Sequence, residues 1–376
     1  MALSSNLGAG PAPVFPAKGA RVRSPGALDR RIEAVALPLG ALVAGLTVFA
    51  LFLLMVGKSP AEFYGLVFKA GFGTAFSWEN TLARASPLLL AALCVAIPAR
   101  LGLVVIGGEG AIVLGGVAAG AFGMYVTGLG SFIGILGMAV SAICVGGVWI
   151  GLVGALRYRR GVNETISSLL LAYIAIALMN HFVEGPLRDP ASLNKPSTAP
   201  LEDAYRIGVL PGLDVHWGLA VGIAACVFSW VLIERTAWGF SARIVGGNIR
   251  AAQIQGLPVG WLMTGFCALA GGFAGLAGML EVSAVHGSAN GSLAGGYGYT
   301  GILIAFLARH NMLAIIPVAV LLAGFEASSG LIQRRMDLPD ATILVLQGIV
   351  FISILISETF TGRLNFSSLI GRRSHG

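Results

Sequence analysis

ERTAWGFSARIVGGNIRAAQIQGLPVG, residues 234–260, is a polar, basic island between two runs, about 216–233 and 259–285, that are apolar enough to lie in a bilayer. Asn248 is placed to cap a short helix with its body over 249–255, Gly256 to close it and Pro258 to block its continuation. Arg243 and Arg250 keep the segment out of lipid, while Ile249, Ala252 and Ile254 give it an apolar side. A short capped helix held at a membrane surface by two spans is well placed to pass force to a soluble partner. The same residues also suit an ordinary cytoplasmic loop, because arginines are common in loops between spans.

Hydrophobic residues make up 56% of the 376 positions and charged residues 11%. A soluble protein carries about 25% charge, so the composition predicts an all-α polytopic membrane protein. The 54 glycines suit close helix packing in lipid. The net charge of +7 does not indicate nucleic-acid binding, because the basic residues sit mainly at span ends and in short loops, where they orient the chain. Cys94, Cys144, Cys226 and Cys267 lie apart in apolar stretches and have no metal-like spacing.

About ten transmembrane helices are expected, near 35–56, 81–98, 101–126, 131–156, 162–183, 216–233, 259–285, 293–308, 312–331 and 340–358. Arg21, Arg23, Arg30 and Arg31 place the N-terminus inside, and Arg157, Arg159 and Arg160 mark another inside end. The connection 184–214, with five acidic residues, three basic residues and five prolines, suits the outside. Both termini then lie in the cytoplasm, with Arg334 and Arg335 as the exception to the charge rule. An inverted repeat relates 81–183 to 259–358, on the similarity of IGGEGAIVLGG to GGYGYTGILIA and of RYRRGVNETISSLLL to QRRMDLPDATILVLQ. The coupling loop 234–258 separates the two halves.

Ionisable and polar groups inside spans are pathway candidates: Glu109, Asn163, Glu164, Tyr173, Asn180, Tyr297 and Gln347. Glu164 also suits a purely structural place at a helix start, and the uncharged groups equally suit joining helices. Glu281 and Glu326 fall near expected span ends, within reach of water. Gly57-Lys58-Ser59 resembles the end of a phosphate-binding loop, but Phe52 stands where that loop needs glycine. With no HExxH motif, paired carboxylates or nucleophile elbow, neither a catalytic residue nor a metal or cofactor site on this chain is expected. The ladder Gly271, Gly272, Gly275, Gly278 reads first as helix packing.

TAWGFSARIVGGNIRAAQIQGLPVGWLMTGFCALAGGFAGLAGMLEV resembles the coupling-loop region of permease subunits of bacterial ABC importers, in the ribose and branched-chain amino acid permease superfamily. GLVVIGGEGAIVLGG, GVNETISSLLLAYIA and GPLRDPASLNKPSTA resemble its nucleoside and simple-sugar subgroup. Val105 stands where relatives usually have Asn. The resemblance implies a type II ABC importer fold for the transmembrane domain, 34–362; the Ala-, Gly-, Pro- and Ser-rich start is expected to be a disordered cytoplasmic tail (1–33), and the arginine-bearing end a second cytoplasmic tail (363–376). It implies that Arg243, Gly247, Asn248, Arg250, Ala251, Ala252, Gln253 and Gly256 couple to an ATPase. ATP and Mg would be bound by that partner. A second permease, different or identical, and an extracytoplasmic solute-binding protein complete the implied assembly in the bacterial cytoplasmic membrane. A branched-chain amino acid permease of the same superfamily and an ion-coupled secondary transporter are the rival readings. On the pathway reading, Glu109→Gln is expected to alter uptake more than assembly.

Overall fold

The computed structural model describes residues 27–128 and 130–359, and among them it is helical with no strand, only two isolated bridges. The expected tails at 1–26 and 363–376 lie outside the described residues. Residues 27–33 are helical where a disordered tail is expected, because the first helix extends back to Ala27.

The helices in order are α1 (Ala27–Met55), α2 (Pro60–Phe72), α3 (Ala75–Ala99), α4 (Gly108–Tyr125), α5 (Ser131–Arg160) and α6 (Glu164–Glu184), followed by α7 (Gly218–Arg235), α8 (Ala237–Gly247) and α9 (Ile249–Ile254). After these come α10 (Val259–Leu280), which continues as a π-helical turn through Glu281–His286, then α11 (Tyr297–Leu307), α12 (Ile315–Met336) and α13 (Ala341–Glu358). Seven of these helices are long and apolar enough to cross a membrane. α4, α11 and α13 are shorter or less apolar but correspond to expected spans.

Local sequence sets the ends. Ser59 caps α2, with Pro60 in the first turn where its missing N–H is no loss. Gly161 ends α5 at φ +66°, just after the basic residues that favour a helix C-terminus. The Gly57-Lys58-Ser59 triplet is spent on this corner between α1 and α2, where Lys58 donates to the Met336 carbonyl at 2.6 Å.

α3, α4 and α10 form the buried centre. α10 packs on α4 and α5, α3 packs on α11 and α12, and α3 and α10 pack on each other. The glycine ladder is what lets α10 approach so closely. A Cβ on Gly275 would strike the Ala142 carbonyl, and one on Gly146 would come within 2.8 Å of the Gly275 Cα. In lipid, association depends on such close backbone packing more than on apolar burial. The 184–217 connection is stitched to the end of α10. Thr198 and Leu201 donate to the Ala289 and Gly287 carbonyls at 2.9 and 2.8 Å, and the buried Tyr205 donates its hydroxyl to Val126 at 2.9 Å.

Candidate functional site

Two regions hold most of the candidate residues. The first is the surface segment α8–α9. Asn248 lies in extended backbone between the two helices, and its Oδ1 accepts from the Ala251 N–H at 3.1 Å, satisfying a donor the helix start leaves open. Gly256 turns the chain out at φ +75°, a conformation costly for any other residue. Ala252 is fully buried, whereas Arg250, Gln253 and Ile254 are exposed, Ile254 at 86%. One side of α9 therefore grips the protein and the other faces outward. Gly247 ends α8, and Ala251 is half-buried.

Arg243, also exposed, is tied to the end of α7. It meets Glu234 at 2.7 Å and donates to the Ile233 carbonyl at 3.1 Å. Glu234 also lies 3.6 Å from Arg100 at the end of α3. One carboxylate thus ties the base of α8 to the transmembrane bundle.

The second region is a cleft of about 560 Å³ beside α11 and α13, lined by Ile106, Tyr299, Thr300, Leu344, Gln347 and Phe351, among others. Its wall is mostly apolar, with the hydroxyls of Tyr299 and Thr300 and the amide of Gln347 as its polar side-chain groups. The Thr300 hydroxyl lies 3.1 Å from Glu326 and 3.2 Å from Gln347, and the Gln347 amide donates to Glu326 at 3.3 Å. The segment before α4 is held against the cleft by α6, since Ser168 accepts from the Ile106 N–H at 3.1 Å and Thr165 donates to the Val104 carbonyl at 3.0 Å.

Glu109 lies behind this wall and is 1% exposed. Its two carboxylate oxygens accept from the Gly296 N–H at 2.7 Å and the Gly298 N–H at 2.6 Å. It caps the N-terminus of α11 from α4, with positive-φ Gly296 supplying the bend. A Cβ on Gly298 would come within 2.7 Å of the Glu109 Cα, so the close approach depends on that glycine.

Of the other pathway candidates, Gln347 lines the cleft. Asn163 caps α6 by accepting from Thr165 and Ile166 at 2.9 and 3.1 Å, and Glu164 meets Arg157 at 3.3 Å. Tyr173 and Asn180 point outward from α6, Tyr173 at 60% exposure. Tyr297 hydrogen-bonds Glu281 instead of lining the cleft. Glu281 is only 3% exposed, against the expectation that it reaches water, because Tyr297 of α11 hydrogen-bonds it and the 184–217 connection is tied over this end of the helix through Ser283. Tyr299, Thr300 and Ile106 were missed as cleft residues. Tyr299 stands two residues past Tyr297, about 200° around the helix and therefore on the opposite face.

The family model described as branched-chain amino acid transport system / permease component matches residues 77–355. The chain belongs to this family. It is similar to the glucose ABC transporter permease protein TsgB13 of Haloferax volcanii, 32% identical over 86% of this chain and 87% of the relative. It is also similar to two guanosine ABC transporter permease proteins of Bacillus subtilis. NupP is 28% identical over 87% of this chain and 95% of the relative, and NupQ is 25% identical over 75% and 91%. The chain is thus a multi-pass permease subunit of an ABC transporter.

Proposed function

We propose that this permease imports an uncharged polar solute, a nucleoside or simple sugar, through a path that includes the cleft between α11 and α13. The occupied N-terminus of α11 is the observation that carries this reading. A free helix start beside the cleft would attract an anionic group, such as the carboxylate of a branched-chain amino acid. Here Glu109 already takes the Gly296 and Gly298 N–H groups, and among the described residues no charged side chain lines the cleft. Gln347, Thr300 and Tyr299 offer hydrogen bonds and an aromatic face, which suit a ribose or a purine. The relatives named for glucose and guanosine agree with this class.

Transport would proceed by alternating access. The outward side of α9 docks on a partner ATPase, which binds ATP and Mg, and its closure is passed through α8 and Glu234 to the ends of α3 and α7. The exchange of neighbours around α3 and α10 supports the inverted repeat of 81–183 and 259–358, with the termini and α9 in the cytoplasm. Similarity to both NupP and NupQ favours a second, different permease, and an extracytoplasmic binding protein would deliver the solute. Uptake of radiolabelled guanosine, in cells with and without this chain, should be suppressed by unlabelled nucleosides or glucose and not by leucine. Competition by leucine alone would replace this reading with the amino acid one. Loss of uptake on collapsing the proton gradient at constant ATP would favour the ion-coupled one.

A further inference from the structure

Glu326 sits near the middle of α12, not near a span end as its sequence suggests, and is half-buried. A carboxyl group at that depth is costly unless hydrogen bonds hold it. Its Oε1 makes them, lying 3.1 Å from the Thr300 hydroxyl of α11 and accepting from the Gln347 amide of α13 at 3.3 Å. With these donors in reach, Oε1 is an acceptor whether or not Oε2 holds a proton. Thr300 and Gln347, 4% and 7% exposed, line the cleft between α11 and α13, whereas Glu326 is not among its lining residues. Three helices thus meet on one oxygen set behind the cleft.

That oxygen decides which way the polar groups of the cleft face. Gln347 must turn its nitrogen to Glu326, which leaves its own Oε1 on the side of Thr300, 3.2 Å from the hydroxyl. Thr300 has one proton, and both oxygens in reach of it belong to the network, so the proton is held there in either case. The hydroxyl then keeps lone pairs for the cleft, and Gln347 keeps a carbonyl lone pair. The second amide N–H is the donor left over. A wall with this balance favours a solute group that donates, and one that cannot donate leaves buried acceptors unpaired.

We propose that Glu326 is a positioning residue for solute selection: by holding the Thr300 proton and one Gln347 N–H, it makes this wall of the cleft an acceptor surface for solute hydroxyls. The proposal rests on the reading of the cleft as the solute path, and it narrows the class to solutes that donate from hydroxyl groups, as the diol of a ribose or a hexose does. Arg84, Glu109 and Glu281 lie within electrostatic reach of Glu326. The role assigned to it is nevertheless one of hydrogen-bond direction and not of charge, and the two are separable by substitution.

The test is competition against radiolabelled guanosine uptake, in cells carrying the full chain with its partner subunits. Unlabelled guanosine is compared with its 2′-fluoro and 3′-fluoro analogues, in which fluorine takes the place of a hydroxyl but has no proton to donate. If glucose is the solute carried, its 2-fluoro and 3-fluoro analogues serve in the same way. At least one analogue should compete about tenfold less well than the parent, the cost of one buried hydrogen bond left unmade. Glu326→Met, which keeps the length and removes the acceptor, should bring that ratio close to one by raising KM for the parent, with the maximal rate little changed. Glu326→Gln removes the charge but keeps an acceptor oxygen, and should keep most of the ratio. Equal competition by parent and both analogues in the unsubstituted transporter would overturn the proposal, as would an unchanged ratio in Glu326→Met or its loss in Glu326→Gln. If Glu326→Met yields no assembled transporter, Thr300→Val, which deletes an acceptor that Glu326 directs, should lower the ratio in its place, and an unchanged ratio there would overturn the proposal too. Uptake of neither guanosine nor glucose by the unsubstituted transporter would instead defeat the underlying reading of the solute, and this proposal with it.

Discussion

The surface segment of α8 and α9 and the buried junction of α4 with α11 both rest on a capped helix start, but the caps reach over very different distances. Asn248 caps a donor three residues ahead of it, in water's reach. Glu109 caps Gly296 and Gly298 from 187 and 189 positions away, inside the bundle. If the first is lost, solvent replaces the missing acceptor and a short helix frays. If the second is lost, nothing replaces it, and two parts of the chain come apart. Closeness in sequence makes a cap legible, whereas burial makes it costly to remove.

The strongest attack on this contrast is Glu109→Leu. Two hydrogen bonds to a charged group contribute about 1.5–3 kcal/mol each, so their loss approaches the whole stability of a marginal fold. The yield of monodisperse protein after extraction should collapse, and Glu109→Gln should lie between. Normal yield with lost uptake would instead return Glu109 to the solute path. Arg250→Glu is the corresponding attack on the surface segment. Yield should be unchanged, while solute-stimulated ATPase activity and uptake fall by about tenfold or more through repulsion at the partner's face. Unaltered uptake would count against α9 as the contact.

Asn248→Ala is a gentler test. Removing a cap costs about 1 kcal/mol, which should appear as a small drop in thermal stability and faster hydrogen exchange over α9 alone. Protection lost across the bundle would erase the distinction drawn above. A separate, pH-dependent test falls on His310. Its pKa is pushed down to about 4, against about 6.5 in an unfolded chain. Between those values the unfolded chain binds more protons, so stability should fall as pH drops from 6.5 towards 4 and then level. His310→Gln should flatten that slope, as read by thermal unfolding at a series of pH values.

The helices, their order and the surface segment were legible because apolar length, Asn248, Gly256 and the arginine clusters are local signals. The glycine ladder was legible for the same reason, since its spacing on α10 is visible in one stretch. Glu109 could be picked out as unusual, but its acceptor role could not be read, because Gly296 and Gly298 are brought to it only by the packing of α4 and α11. Thr300 and Glu326 meet Gln347 across three helices, and no spacing within one segment encodes that. Glu281 was misplaced because what covers that span end, Tyr297 and the 184–217 connection, is brought there only by the fold.

The continuous helix from Val259 to His286 begins where the chain leaves α9 and ends where the 184–217 connection is stitched down. Its 28 residues give a rod about 40 Å long, stiffened by its glycine contacts along much of that length. A delivery protein landing on the 184–217 connection and an engine gripping α9 would therefore push on opposite ends of one strut. Each face of the membrane would feel the state of the other with no relay of side chains between them.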